Sequence, residues 1–489
     1  MFGENKKFYI TTTLAYVNAD PHIGFALEII QADVIARYYR NNGREVFFNT
    51  GTDEHGLKIF LGAQKENLDP KKYCDIYAEK NRELKNALNL SYDNFIRTTD
   101  EHHIKAAQEF WKLCYKNGDI YKKNYKIKYC VGCELEKTES ELVNGRCPIH
   151  PNKEIEIIEE ENYFFKYSNY QKTLSDFYNK NKDFVIPKSR FNEIIEFTKR
   201  GLEDFSISRL REKMPWGIPV PNDDKHVMYV WFDALVNYVS ALGWPENLKN
   251  FKDFWPGLQV AGKDNLRQQS SMWQAMLLSA GLPNSKQIFI HGFITVDGQK
   301  ISKSLGNVIN PIELVNKYGT DAVRYYLLRE IVPTEDSDFT YEKFEQRYNG
   351  DLASGIGNLV SRVLGVAGKI LNFKFEILNK FSNSNLQKKI KEVKKEYKLA
   401  LENFKFNDAL SSVWELISFC DKYINEEKLW ETKDAKVIND LFFAIKEIAV
   451  LLEPFLPETA EKIKKIISTQ KSRPEGAAEN LFPKILNDN

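Results

Sequence analysis

The sequence predicts an α/β protein: a parallel-sheet domain, interrupted by a cysteine-bearing insertion and followed by an all-α helical bundle. Three observations carry this. Strand-like and helix-like runs alternate from the start of the chain, the pattern breaks over 117–225 and then returns, and beyond residue 346 only helical periodicity remains. Phe8-Tyr9-Ile10-Thr11-Thr12 is aromatic and β-branched, as a buried strand would be. Asp20 is a good N-cap and Pro21 suits a first helical position, so a helix is expected there with His22 in its first turn. Ile23, Leu27, Ile30 and Val34 then recur at helical spacing. A second strand, 45–50, runs into Gly51-Thr52-Asp53-Glu54-His55-Gly56. Ligands of parallel α/β sheets bind beyond the carboxyl ends of the strands, where Asp53 would lie.

After the insertion the α/β pattern resumes at Val227-Met228-Tyr229-Val230-Trp231-Phe232-Asp233. Strand-like runs at 258–261 and 287–290 end in Gly262-Lys263-Asp264 and His291-Gly292. In the bundle, Leu386, Ile390, Val393, Tyr397, Leu401 and Phe404 keep one face, and Phe406, Leu410, Val413, Leu416, Ile417 and Cys420 another. The expected divisions are 1–116 and 226–345 for the two halves of the sheet domain, 117–225 for the insertion and 346–489 for the bundle and tail. The tail from Gln470 reads as a loose linker, with Leu481-Phe482-Pro483 packing back onto the body.

With 489 residues, 43% of them hydrophobic, the chain can build two or three cores. Lys+Arg is 69 against Asp+Glu 68, so a nucleic-acid surface would have to be local. No apolar run is long enough to cross a bilayer, and the N-terminus does not read as a signal peptide, because a strand begins at once. Six cysteines in so long a chain are no disulfide framework, and a cytosolic, reducing location follows as the default. Cys74, Cys114 and Cys420 fall in helical patterns and read as core.

Cys130-x2-Cys133 and Cys147-x2-His150 stand thirteen residues apart. Two close pairs across a loop suit tetrahedral zinc, and four protein ligands make such a site structural rather than catalytic. Lys300-Ile301-Ser302-Lys303-Ser304 lies between Gly298 and Gly306, after a strand and before a helix at Pro311. Lysine-rich loops are usually just solvated, and a lone His at a helix start is more often a cap. Together, His22 and the lysines could neutralise a triphosphate from two sides.

These segments resemble the methionyl-tRNA synthetase family of class I aminoacyl-tRNA synthetases. The matching pieces are Leu14-Ala15-Tyr16-Val17-Asn18-Ala19-Asp20-Pro21-His22-Ile23-Gly24, the 51–56 run and the single metal knuckle. Tyr229-Val230-Trp231-Phe232-Asp233-Ala234, Gly262-Lys263-Asp264 and the Lys300 loop complete them. The resemblance implies a Rossmann-like catalytic domain, a connective insertion with one structural Zn2+, and a helical anticodon-binding domain. It implies ATP with Mg2+, L-methionine and tRNA(Met) as partners, with His22, Lys300 and Lys303 catalytic. Gly24, Lys263, Asp264 and His291 join them around ATP. Asp53 would hold the methionine ammonium, and Leu14, Tyr16, Trp231, Ala234, Tyr238 and Trp273 would line the side-chain pocket, which residue by residue also reads as plain core. Asn358, Arg362 and Trp430 would read the anticodon; otherwise they are a cap, a surface ion pair and a packed ring. The chain departs from the family at Phe25, where a second His is usual, at Gln268-Gln269, where an aromatic and a His are common, and at Leu235, where Pro is common. No appended dimerisation domain is seen, so a monomer is expected. The competing expectations are a class I synthetase for another apolar amino acid and a non-catalytic tRNA-binding derivative.

Overall fold

The computed structural model describes residues 6–133, 135–137, 141–301, 306–369, 382–468 and 481–485. Seven strands make the main sheet: β1 (Lys7–Thr12), β2 (Ala15–Tyr16), β3 (Glu45–Asp53), β4 (Asn94–Arg97), β5 (Val185–Ile186), β6 (Leu258–Gly262) and β7 (Gln287–His291). Their order is β2-β3-β1-β6-β7-β5, with β4 also on β3, and every pairing is parallel. Side chains alternate between two cores, as the strand period requires. Phe8, Ile10 and Phe289 enter one cluster, and Tyr9, Ile288 and Ile290 the other. The edge strand β5 comes from within the 117–225 stretch, so that stretch completes the sheet as well as interrupting it.

From β1 the chain passes through α1 (Ile23–Asn41) to β3 on one side, while β6 pairs on the other. That reversal opens a crevice at the carboxyl ends of β1 and β6. The seam is closed by the Thr13 N–H, which donates to the Val260 carbonyl at 3.2 Å.

The start of α1 corrects one expectation. Its N-cap is His22 (φ −126°, ψ 167°), not Asp20. The Asp20 carboxylate is instead drawn to the Lys80 ammonium at 2.6 Å. The His22 Nδ1 accepts the Gly24 N–H at 3.0 Å, doing the work of a capping oxygen. A Cβ on Gly24 would lie 2.9 Å from that ring, so only glycine lets the imidazole fold over the helix end.

The insertion carries an antiparallel four-stranded sheet built from Ile120–Cys130, Leu135–Lys137, Glu156–Phe165 and Phe205–Ser206. Around it lie α2 (Glu101–Lys116), α3 (Val230–Ala234) and α4 (Asn237–Ser240). A small sheet of Ile294–Val296, Gln299–Lys300 and Ser337–Phe339 follows β7. Its hairpin turns at Asp297-Gly298, both with positive φ (50° and 71°), the two-residue turn that matches strand twist.

The C-terminal part is helical, as expected: α5 (Thr320–Arg329) precedes α6 (Asn358–Lys369), α7 (Ser384–Glu402), α8 (Phe406–Glu426), α9 (Leu429–Thr432), α10 (Ala435–Leu452) and α11 (Pro457–Ser468). One continuous core joins it to α1 and the sheet, with Phe289 stacked on Phe404 at 4.6 Å and 8°. Phe482 packs edge-on against Tyr348, and Asn349 bonds both backbone groups of Ile485; Gln470 lies outside the described residues. Cys74, Cys114 and Cys420 are fully buried in helices. Among the described residues no helix is long and apolar enough to cross a membrane.

Candidate functional site

The crevice is organised by a residue that sequence reasoning passed over. Glu28, on α1, is buried beneath the carboxyl ends of three adjacent strands. Its Oε1 accepts from the Thr13 N–H at 2.8 Å and the Thr13 hydroxyl at 2.5 Å. Its Oε2 accepts from the Gly262 N–H at 3.1 Å and from His291 Nε2 at 3.0 Å. The other nitrogen of His291 faces the Gly292 carbonyl at 2.7 Å, so both ring nitrogens meet acceptors. Burial works against charge on His291, but Glu28, Gly292 and Asp264 together raise its pKa. The clue was available: a glutamate inside an otherwise apolar helix pattern.

The segment that follows the lysine hairpin returns to the His22 cap at this crevice. The first helical N–H of α1, that of Ile23, donates to the Ile309 carbonyl at 3.0 Å, which places the exit of the lysine loop against the cap. Lys300 is exposed at the end of the hairpin, and Asn307 Nδ2 reaches back to its carbonyl at 3.1 Å. Its charge acts on Asp264 across the crevice and on His150 of the knuckle. Lys303 lies outside the described residues. Burial lowers the pKa of His22. The neutral ring, with Nδ1 accepting from Gly24, carries its proton on Nε2 as a donor for an anion. Lys263 is committed elsewhere, to Asp336 at 2.5 Å and over the Phe293 ring, whereas Asp264 is exposed at the end of β6. Phe25 packs against the core and presents nothing polar.

On the opposite side of β3, Asp53 pairs in register with Tyr16, whose hydroxyl donates to the His55 carbonyl at 3.0 Å. The 51–56 loop is held from three directions. Glu54 takes a two-pronged bond from Arg97 at 2.6 and 2.9 Å. The Glu54 carbonyl accepts from Trp216 Nε1 at 2.6 Å. His55 Nδ1 meets the buried Asp233 at 2.7 Å, and His103 Nε2 meets its other oxygen at 3.0 Å. His55 is thereby committed to Asp233. That carboxylate lies on α3 between Trp231 and Ala234, so the pair ties the Asp53 loop to the aromatic wall. Trp273 is fully buried, with Tyr238 edge-on at 5.9 Å, and the buried Nε1 atoms of Trp231 and Trp273 have no hydrogen-bond partner among the described residues. Leu14 is half-buried between β1 and β2, and Leu235 is core.

Cys130, Cys133, Cys147 and His150 come together as a candidate metal site, as their spacing predicted, with ligand atoms all within 4.8 Å of one another. Cys133 Sγ is 3.4 Å from Cys147 Sγ and 3.2 Å from His150 Nδ1. Edges of a tetrahedron around an ion with ~2.3 Å bonds to sulfur are of that order. A Cβ on Gly132 would come within 2.4 Å of the His150 ring, so the knuckle closes only around glycine.

Residues 8–156 and 133–364 match the family model for tRNA synthetases class I (M), and residues 383–487 match that for the anticodon-binding domain of tRNA ligase. The methionine–tRNA ligase of Thermotoga maritima is 41% identical over 97% of the chain and 77% of the relative. That of Thermosynechococcus vestitus is 43% identical over 93% and 89%. The Mycobacterium tuberculosis methionyl-tRNA synthetase in complex with methionyl-adenylate superposes with a TM-score of 0.89 at 34% identity, covering 98% of this chain and 99% of that one. The chain belongs to the methionine–tRNA ligase family.

In this member of the methionine–tRNA ligase family, the helical domain brings its three candidate anticodon residues to one end of the bundle. Asn358 is exposed at the start of α6, and Arg362 follows one turn later. Arg362 bonds Asp421 at 2.9 Å and Asn425 at 2.6 Å, both near the end of α8. The chain then turns into α9, where Trp430 is 51% exposed, far more than a ring of its size usually is.

Proposed function

We propose that the chain activates L-methionine with ATP and transfers it to the 3′ end of tRNA(Met). The observation that carries this is the contact between Ile309 and Ile23, which brings the segment after the lysine hairpin to the His22 cap at the strand ends. The methionine carboxylate attacks the α-phosphorus of ATP, giving methionyl-adenylate and pyrophosphate, with ATP arriving as its Mg2+ complex. The nucleophile is already ionised, so no general base is needed. The work is positioning and hydrogen-bond donation by the neutral His22 ring and charge neutralisation by Lys300 and Lys303. A terminal tRNA hydroxyl then displaces AMP from the adenylate. In this reading Asp53 pairs with the methionine ammonium, Leu14, Tyr16, Trp231, Ala234, Tyr238 and Trp273 enclose its side chain, and Gly24, Asp264, His291 and, more remotely, Lys263 border ATP. The divisions at 116, 225 and 345 separate the catalytic halves, the insertion and the anticodon-binding domain. The cytoplasm is the location that suits this work and six reduced thiols.

Pyrophosphate exchange measured with each of the twenty amino acids tests the reading. Methionine should lead by a wide margin; another apolar amino acid in front, or no exchange at all, would refute it.

Zinc in the Cys130, Cys133, Cys147 and His150 cluster is structural in this reading, all four positions being taken by protein. Metal analysis should find about one zinc per chain. Chelation should lower the melting temperature and expose the insertion to protease, because ligand binding and local folding are coupled; an unchanged melting curve after complete zinc removal would rule the role out.

Trp430 is left open to stack an unpaired base, while Asn358 and Arg362 offer hydrogen bonds to base edges. Stacking of this kind is worth ~1–3 kcal/mol per base. Trp430→Ala should therefore cut aminoacylation kcat/KM by about tenfold to a hundredfold, with exchange, which needs no tRNA, as the internal control.

A further inference from the structure

The cysteine knuckle is fastened to the sheet domain at two points, one on the β3 side of β1 and one on the β6 side. On the β3 side, Lys58 lies in the first turn of the helix Leu57–Lys65, just after the 51–56 loop. Its ammonium donates to the Gly132 carbonyl at 2.5 Å. On the β6 side, Arg267 stands before the π-helical turn Gln268–Met272, which leads into the helix holding Trp273. Its guanidinium donates to Glu141, in the loop between the two ligand pairs, at 3.1 Å and lies over the Phe197 ring at 5.0 Å. One lobe thus links the exit of β3, where Asp53 lies, to the segment after β6 that carries Trp273.

The two fastenings differ in kind. The Arg267–Glu141 pair is part-exposed on both sides, and such pairs contribute little. Lys58 is half-buried and reaches further. The same ammonium lies 5.6 Å from the centre of the Tyr16 ring, close enough for a cation–π contact. Tyr16 pairs in register with Asp53, and its hydroxyl donates to the His55 carbonyl at 3.0 Å. An ammonium carries three donors on a compact charge, so one group can serve the knuckle carbonyl and the ring face together. Gly132 sits between Cys130 and Cys133, so whatever closes the knuckle also aims its carbonyl. Three thiolates and a neutral imidazole around a divalent ion leave one net negative charge, which suits a cation at this place.

We infer that Lys58 is a positioning residue that couples closure of the Cys130, Cys133, Cys147 and His150 knuckle to the methionine pocket. The closed knuckle holds the ammonium, and the ammonium holds the Tyr16 ring and the 51–56 loop in the form that receives the amino acid. This rests on the readings of the cluster as a zinc site and of the pocket as a methionine site. Such a coupling is reciprocal: if metal tightens methionine, methionine tightens metal by the same factor.

The test reads zinc affinity by competition with a chromophoric chelator, with and without saturating methionine, and the methionine KM by pyrophosphate exchange. In the unaltered protein methionine should tighten zinc by about threefold to tenfold, the worth of one net hydrogen bond. Lys58→Met, which keeps the stem but not the charge, should still take up zinc but lose that response. Its methionine KM should rise by the same factor while kcat and the ATP KM hold. Lys58→Arg, which can still donate to a carbonyl and cover a ring, should restore both in part. Zinc affinity indifferent to methionine in the unaltered protein, or an unchanged methionine KM in Lys58→Met, overturns the inference. So does a Lys58→Met variant whose kcat and ATP KM worsen as much as its methionine KM, since that is the mark of a merely structural residue. Failure of the unaltered protein to bind zinc or to exchange methionine would instead overturn the readings beneath it.

Discussion

His22→Ala is expected to cut methionine-dependent pyrophosphate exchange by about a hundredfold to a thousandfold, the usual cost of removing one preorganised donor at a developing negative charge. Lys300→Ala should fall in the same range. The reason is geometric. The His22 ring is fixed by its bond to the Gly24 N–H at 3.0 Å and by a backbone clamp between Ile23 and Ile309. Its Nε2 proton is therefore presented without rearrangement during the reaction. Circular dichroism of the purified variant checks that the fold persists. Exchange within a few-fold of the unaltered protein in either variant would remove that residue from the mechanism.

The same site has a pH signature. The working form of His22 is neutral, because Nδ1 must accept. Burial holds its pKa below the ordinary imidazole value near 6.5. The unfolded chain therefore binds this proton more readily than the folded one. The neutral cap contributes fully above the ordinary value and loses ground as pH falls through it. The contribution of His22 to exchange should be flat above neutrality and decline only on the acid side.

Much of this architecture was legible in the sequence because it rests on local chemistry. Alternating runs placed β1, α1, β3, β6 and β7, since burial on both faces of a parallel sheet demands continuous apolar strands. The metal cluster was legible from spacing alone. The start of α1 was not, because Asp20 and His22 are both competent near a helix end; in the structure Asp20 pairs with Lys80, sixty residues away, and His22 takes the cap. Nor was the edge strand β5: two residues long, it is set by its partner β7 rather than by its own composition. Glu28, Asp233 and Arg97 escaped for a related reason. Glu28 and Asp233 are buried and Arg97 half-buried, each with a partner from another segment, and sequence order does not announce such pairs. Gln268-Gln269 was visible as an oddity, but its setting needed coordinates: both are buried, with Gln269 Nε2 donating to Tyr238 Oη at 2.6 Å and its Oε1 accepting from Gln259 Nε2 at 3.0 Å.

Arg324→Met should destabilise the protein by ~3–5 kcal/mol, the cost of stripping the partner from a buried charge. Arg324 is fully buried on α5, where the sheet domain meets the bundle. Its guanidinium donates to Asp33 of α1 at 2.8 Å, to the Leu88 carbonyl at 3.0 Å, and to the Pro454 and Phe455 carbonyls at 2.9 and 2.7 Å. One planar fork thus fastens α1, whose other end caps at His22, to the corner between α10 and α11. Denaturant titration measures the loss, and its pH dependence identifies the cause. Burial would raise the pKa of Asp33, but Arg324 first, then Arg37 and Ser91, bring it below the ordinary carboxylate value. Its contribution is complete above that value, near 3.9, and is lost as pH falls through the lower folded value. With Arg324 gone, burial is opposed by Arg37 and Ser91 alone, so Asp33 takes up a proton more readily than before. The deficit of Arg324→Met should therefore be greatest at neutral pH and shrink in acid, as the stranded carboxylate is neutralised. A deficit independent of pH would assign the loss to packing and the carbonyl bonds, not to the ion pair.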